Sequence, residues 1–272
     1  MPFGLCNVSS TFQAAMNVVL SPYLQKFAAV FFDDILIYNE SLPNHLHHLE
    51  CVFTLLSQPQ YYLKHFKCLF GQCQLDYLGH VVSKNGVQPD PSKIQAIVDW
   101  PTPRSLRDLR AFLGLTGFYQ KFVKGYATIA APLTRLLCKD AFQWVPESQD
   151  AFATLKHAMT STPMLALPDF SLPFALETNA SGTAMGVFLQ QQSHPIAFFS
   201  KPFRSCMQHA STYVRELHAI TAAIHKWRQY LLGHKFIIFT DHRSLHDLMP
   251  QVIQTPEQQF YLAKLLGFDY DI

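Results

Sequence analysis

Two adjacent carboxylates, Asp33 and Asp34, interrupt an otherwise apolar run, "AAVFFDDILIY", at residues 28–38. Burying one unpaired carboxylate is costly, and burying two side by side adds like-charge repulsion. A strand turn that presents both to a hard divalent cation answers the problem, because the cation neutralises them and can also bind phosphate. The competing reading is a surface turn with both acids hydrated, and flanks as apolar as "AAVFF" and "ILIY" weigh against it. Three further positions could face a common centre: Asn179 in "FALETNAS", Glu216 beside the apolar stripe of a helix, and Asp241 in "KFIIFTDHRSL". Taken singly, Glu216 reads as a solvated helix acid and Asp241 as a strand-end cap.

Other clusters carry less. His65, Cys68 and Cys73 in "HFKCLFGQC" resemble part of a zinc site, but no second pair follows. The "HLHHLE" stretch at 45–50 reads as a helix face. The six cysteines have no framework spacing and are expected to be reduced thiols. Residues 101–140 hold seven basic side chains, Arg104, Arg107, Arg110, Lys121, Lys124, Arg135 and Lys139, against Asp108 and Asp140. That local surplus exceeds the net charge of +2 for all 272 residues, so it marks either a phosphate-binding face or a solvated one.

The elements that must position these groups follow from period and punctuation. The run at 28–38 is strand-like around its acids, and a helix is predicted near 44–57, with Leu46, Leu49, Val52, Phe53 and Leu56 on one side. "LDYLGHVVSKNGVQP" (75–89) reads as a hairpin with a turn at Asn85–Gly86. Asp90 is placed to cap a helix with Pro91 in its first turn, and Pro101 stops it. Ser105 and Asp108 have capping-box spacing, and Pro146 opens another helix. A proline-punctuated stretch at 160–173 reads as a boundary. Three strand candidates follow, then one long helix from about Tyr213 to Leu232 with Val214, Leu217, Ile220, Ile224, Trp227 and Leu231 in a stripe, then a fourth strand. This order predicts an α+β fold at 172–272. A hydrophobic content of 49% excludes a disordered chain, and no apolar run reaches the ~18 residues of a membrane helix. Without a signal-peptide pattern the expected location is intracellular, with cytoplasm and nucleus undistinguished.

The blocks "MPFGLCNVSSTFQ", "FFDDILIY", "KCLFGQCQLDYLGHVVS", "WPTPRSLRDLRAFLGLTGFYQKFV", "APLTRLL", "LPDFSLPFALETNAS", "KWRQYLLG" and "TDHRSL" run in one order over nearly the whole length. Together they resemble the reverse transcriptase–RNase H region of a gypsy-type LTR retrotransposon Pol polyprotein. The resemblance implies three parts: a partial polymerase palm with a primer-grip-like hairpin at 1–88, a helical thumb at 89–165, and an RNase H-like domain at 172–272. It implies that Asp33 and Asp34 are the paired catalytic aspartates that hold magnesium, or manganese. By the same resemblance Phe3, Gly4 and Gln13 fall in the segment contacting nucleotide and template. Leu78, Gly79 and His80 resemble the primer grip, and Arg104, Arg107 and Arg110 a helix face for duplex phosphates. Glu216 and Asp241 match two of four RNase H metal acids. The implied partner is an RNA–DNA hybrid or primer–template duplex, with no membrane, and association with an intact Pol copy is a further expectation.

Against that pattern the chain departs at several places. Phe31 stands for the tyrosine of the aspartate turn, and Asn179 stands where the family has an aspartate. Met1 matches an internal methionine, so the fingers and first palm aspartate are expected to be missing, and the fourth RNase H acid is expected beyond Ile272. The implied activities are RNA-directed DNA polymerisation and hydrolysis of RNA in hybrids, expected to be impaired here. The alternatives are a non-catalytic nucleic-acid-binding remnant or a decayed reading frame.

Overall fold

The apolar flanks of the aspartate pair form the two strands of a hairpin, β1 (Ala28–Phe31) and β2 (Asp34–Ile37), paired antiparallel from Ala28–Ile37 to Phe31–Asp34. A computed structural model describes residues 7–138, 142–241, 245 and 255–272. The chain divides at Leu78/Gly79 into two compact units.

In the first unit, α1 (Val8–Leu20) and α2 (Leu42–Ser57) bury Met16, Leu20, Val52 and Leu56, with Val30, Ile35 and Ile37 of the hairpin packed against them. Ser41 and Pro43 open α2 as expected for a helix start. The unit ends in a short 3-10 turn at His65–Lys67 and β3 (Gln74–Tyr77). Tyr62, Phe66 and Leu69 around that turn are exposed.

The second unit opens with the hairpin β4 (His80–Ser83) and β5 (Gly86–Pro89). The closing pair is Ser83–Gly86, so Lys84 and Asn85 make the turn and Gly86 already belongs to β5. The glycine there answers a different demand from a hairpin turn. A Cβ on Gly86 would lie 2.2 Å from the carbonyl oxygen of Leu165. Val87 and Leu165 exchange two backbone hydrogen bonds, of 2.8 and 3.0 Å, and Leu165 is only 2% exposed. The proline-rich stretch is thus pinned to the hairpin rather than left as a free connector.

Asp90 caps α3 (Pro91–Val98) by accepting from Ser92 N, and Ser105 caps α4 (Leu106–Phe118) by accepting from Asp108 N. A 3-10 turn at Gln120–Phe122, α5 (Tyr126–Arg135) and α6 (Pro146–Thr160) complete a helical core around Ile97, Leu109, Phe112, Phe122, Leu133, Phe152 and Leu155.

Five strands follow in a mixed sheet: β6 (Phe174–Ala180), β7 (Ala184–Gln191), β8 (His194–Pro202), β9 (Phe236–Thr240) and β10 (Tyr270–Asp271), in spatial order β10-β9-β6-β7-β8. β6–β9 and β9–β10 are parallel and the other pairs antiparallel. The short α7 (Ser205–Gln208) precedes α8 (Thr212–Lys226), which lays Leu217, Ile220, Ala223 and Ile224 on the sheet. The single long helix expected to Leu232 is two: the chain leaves helical geometry at Trp227 and resumes in α9 (Arg228–Leu231). α10 (Pro256–Leu265), with a capping box at Thr255 and Gln258, covers α8, and β10 adds a strand that the sequence reading lacked. The helical part meets the sheet where Ser200 Oγ accepts from Ala127 N at 2.8 Å. Among the described residues, no helix is long and apolar enough to cross a membrane.

Candidate functional site

The register of β1 and β2 leaves Phe32 and Asp33 as the two-residue loop and starts β2 with Asp34. Both carboxylates are exposed, as is Phe31 before them, while Val30, Ile35 and Ile37 turn inward to α1 and α2. Hydration therefore relieves the burial cost, and like-charge repulsion is what remains. Among the described residues, neither acid takes part in an ion pair. Tyr77 is pushed above the ordinary phenol range by burial first and by the charge of Asp34 second. Phe32 has φ +50°, a left-handed conformation that bulky side chains seldom adopt. Gln13 reaches this loop from α1: its Oε1 accepts from Phe32 N at 2.6 Å and its Nε2 donates to Val30 O at 3.3 Å. Phe3 and Gly4 lie outside the described residues.

The turn joining β3 to β4 places Leu78 at φ +50° and Gly79 at φ +74°. Gly79 O accepts from Tyr119 Oη at 2.8 Å and from Asp90 N at 3.3 Å. His80 lies among the rings of Phe118, Tyr119 and Phe122 at 5.3–5.7 Å. Tyr119, 1% exposed, was not singled out from the sequence; its partner is 40 residues away and no local signal points to it.

Arg104, Arg107 and Arg110 are all exposed, but they do not share one helix face. Arg104 precedes the cap of α4, because Ser105 accepts from Asp108 N and so sets the first turn beyond it. Arg104 and Arg107 line an open groove of about 690 Å³ with Trp100, Pro101 and Pro103.

In the sheet, alternation along β6 buries Leu176, Thr178 and Ala180 toward α8 and leaves Glu177 and Asn179 on the other face. Thr178 pairs with Thr240, so the next residues, Asn179 and Asp241, come side by side at the strand ends. Asn179 Nδ2 donates to Asp241 Oδ2 at 3.5 Å. Glu216, 3% exposed on α8, accepts from Ala180 N through Oε1 at 2.7 Å. Of the three positions expected to share a centre, Asn179 and Asp241 are in contact, and Glu216 is tied to the backbone of Ala180, the residue after Asn179. Asn179 also opens on a cleft of about 210 Å³ that Lys124, Gly125 and Thr128 close from the helical side. Across the sheet Asn179 pairs with Gly186, and Gly186 with Ser200, the residue that anchors α5.

Oxygen donors decide how well each group suits a divalent ion. Asp33 and Asp34 are adjacent, anionic and exposed, a donor set that fits a hard cation. The other centre is mixed, since the amide of Asn179 already presents a positive end to Asp241. Among the described residues, no group of three or more His, Cys, Asp or Glu side chains is arranged to hold a metal. His65, Cys68 and Cys73 are not gathered; Cys68 Sγ donates to Lys64 O instead. In the histidine stretch, Asn39 bonds both His45 and His48, and Phe27 stacks on His48 at 3.6 Å, which is packing.

Residues 1–82 match the reverse transcriptase (RNA-dependent DNA polymerase) family, and residues 144–238 match the RNase H-like domain found in reverse transcriptase. The retrovirus-related Pol polyprotein from transposon 297 of Drosophila melanogaster is 42% identical over 253 residues, covering 91% of this chain and 24% of that protein. The chain belongs to the reverse transcriptase–RNase H region of gypsy-type retrotransposon Pol polyproteins. The Pol polyprotein from transposon gypsy of the same fly is 36% identical over 90% of this Pol segment. A Tf2-3 polyprotein of Schizosaccharomyces pombe is 31% identical over 90% of it. The segment spans about a quarter of the length of the fly relatives and about a fifth of the yeast one. In fold it is similar to the foamy viral protease-reverse transcriptase in complex with RNA/DNA hybrid, with a TM-score of 0.84 at 22% identity over 100% of this segment and 39% of that chain. The same enzyme in complex with dsDNA gives 0.83, over 60% of that chain.

Proposed function

We propose that this Pol segment grips a primer–template duplex or RNA–DNA hybrid and holds a divalent ion, magnesium or manganese, at Asp33 and Asp34. What carries the proposal is the joint placement of two carboxylates, exposed and without an ion pair among the described residues, at the tip of a braced hairpin. Bound there, the ion would offset phosphate charge and lower the pKa of an attacking hydroxyl. The chain's own residues do the rest: the two acids place the ion, and the turn at Leu78, Gly79 and His80 steadies the primer strand. Arg104, Arg107 and Arg110 face phosphates, and Phe3, Gly4 and Gln13 belong to the nucleotide-side segment. In this reading 1–88 is palm with primer grip, 89–165 thumb and 172–272 RNase H-like. The similar foamy viral structures hold RNA/DNA hybrid and dsDNA, which supports a duplex as the partner.

For the RNase H-like part the contact of Asn179 with Asp241 favours a second role: hybrid binding without efficient cleavage. An amide contributes no negative charge where two closely spaced cations need it, and electrostatic stabilisation is usually the largest catalytic term.

Calorimetry with Mg2+ and Mn2+, on the full chain and on Asp33→Asn, tests the ion site; heat in the parent and none in the variant is expected. Hybrid binding followed by anisotropy should weaken by orders of magnitude between about 50 and 200 mM salt if six or more phosphates are contacted. Salt-insensitive binding, or ion uptake that survives Asp33→Asn, would overturn the proposal.

A further inference from the structure

Gln13 makes three hydrogen bonds, and their pattern fixes the orientation of its amide. Phe32 N–H can only donate and Val30 C=O can only accept, so Oε1 must face the first and Nε2 the second. Nε2 also donates to Asn17 Oδ1 at 2.8 Å, one helical turn on. Val30 O and Phe32 N flank Phe31 and point away from β2. A residue on a parallel neighbouring strand would bond this same pair of groups. The Gln13 carboxamide therefore takes the place of a neighbouring strand at the outer edge of β1, which among the described residues pairs only with β2. It does so one residue before Asp33, where Phe32 is held in a left-handed conformation.

We infer that Gln13 is a positioning residue for the Asp33–Asp34 turn, acting through the backbone of Phe32 rather than by touching nucleotide or template. Remove the carboxamide, and the chief restraint that this side chain places on the strained loop is gone, so Asp33 shifts relative to Asp34. The inference rests on the cation reading of that pair, but the turn itself can be observed whether or not an ion binds.

The experiment is nuclear magnetic resonance on the full chain, comparing the parent with Gln13→Ala and Gln13→Glu. Amide exchange at Phe32 and the backbone shifts of Asp33 report the turn; Mn2+ broadening at Asp33 and Asp34 reports the ion. Gln13→Ala should speed Phe32 exchange about tenfold, equivalent to one hydrogen bond of about 1.4 kcal/mol. It should move the Asp33 shifts and weaken Mn2+ at the pair several-fold. Gln13→Glu keeps the acceptor and should restore Phe32 protection, which separates positioning from a general loss of folding. Unchanged Phe32 exchange and Asp33 shifts in Gln13→Ala would overturn the inference, as would a disturbed turn with unaltered Mn2+ affinity. If the parent itself shows no Mn2+ broadening, the cation reading fails, and the Phe32 and Asp33 signals still decide whether Gln13 holds the turn.

Discussion

Asn179 and Asp241 meet across two parallel strands, with the amide Nδ2 of one donating to carboxylate Oδ2 of the other at 3.5 Å. The partial positive end of the amide lies where a second carboxylate would demand a cation. Asn179→Asp should therefore do two things at once. Without divalent ions it sets like charges side by side and should cost about 1 kcal/mol, read as a lower Tm. With Mg2+ the Tm should recover, and hybrid cleavage by the full chain should rise at least about tenfold over the parent. A variant indifferent to Mg2+ in both assays would refute this.

Tyr119 latches the Leu78–Gly79 turn by donating to Gly79 O. That carbonyl keeps a second donor in Asp90 N, so Tyr119→Phe leaves no orphaned acceptor. The expected loss is about 0.5–1.5 kcal/mol in urea unfolding, with unchanged slope. Duplex affinity should fall further than stability if the turn contacts the primer.

The groove residues predict a graded salt response. Arg104→Ala and Arg107→Ala should each reduce the slope of log K against log salt by about one phosphate contact. Arg110, which does not line the groove, should matter less. Equal effects at all three positions would instead indicate a diffuse basic face.

Gly86→Ala forces a Cβ to within 2.2 Å of a backbone oxygen, at φ +137°. Backbone cannot swing aside as a side chain can, so roughly 2–4 kcal/mol of destabilisation is expected in urea or thermal melts. Asn85→Gly, in the actual turn, should be mild by comparison.

His218 supplies the pH dependence. Its Nδ1 lies 3.3 Å from Tyr261 Oη, and burial, then Lys264 and Lys201, pull its pKa below the ordinary imidazole value. The folded protein binds this proton less readily than the unfolded chain, so stability rises with pH across the window. The contribution is complete above an unfolded pKa of about 6.5 and is lost as pH falls through it toward the lower folded value. Thermal melts between about pH 7.5 and 5.5 should show the parent losing Tm, and His218→Gln should flatten that loss.

Much of the architecture was legible because the signals are local. Asp90 with Pro91, and Ser105 with Asp108, announce helix starts within four residues, and both caps form. Alternation along 174–180 sorts β6 into two faces without reference to anything else. Where a local signal competes with a contact made elsewhere, the distant contact decides the structure. Asn85–Gly86 looked like the turn itself, yet Gly86 serves the approach of Leu165. The three arginines looked evenly spaced on one helix, yet the Ser105 cap places Arg104 outside it. The stripe through Trp227 continues past a break in the backbone, because Trp227 and Leu231 still reach the same core.

By itself the amino-acid order determined the family of the chain, the position of its paired acids on a strand turn, and the alternation and caps that shape each element. These are matters of residues within a few positions of one another. Only the tertiary structure decided that Gln13 holds Phe32, that Tyr119 holds Gly79, and that Asn179 faces Asp241. Each joins residues 19 to 62 positions apart, and hydrogen-bonding groups so far separated leave no periodic trace in sequence. Their pairing is settled by which faces the packed helices and strands bring together.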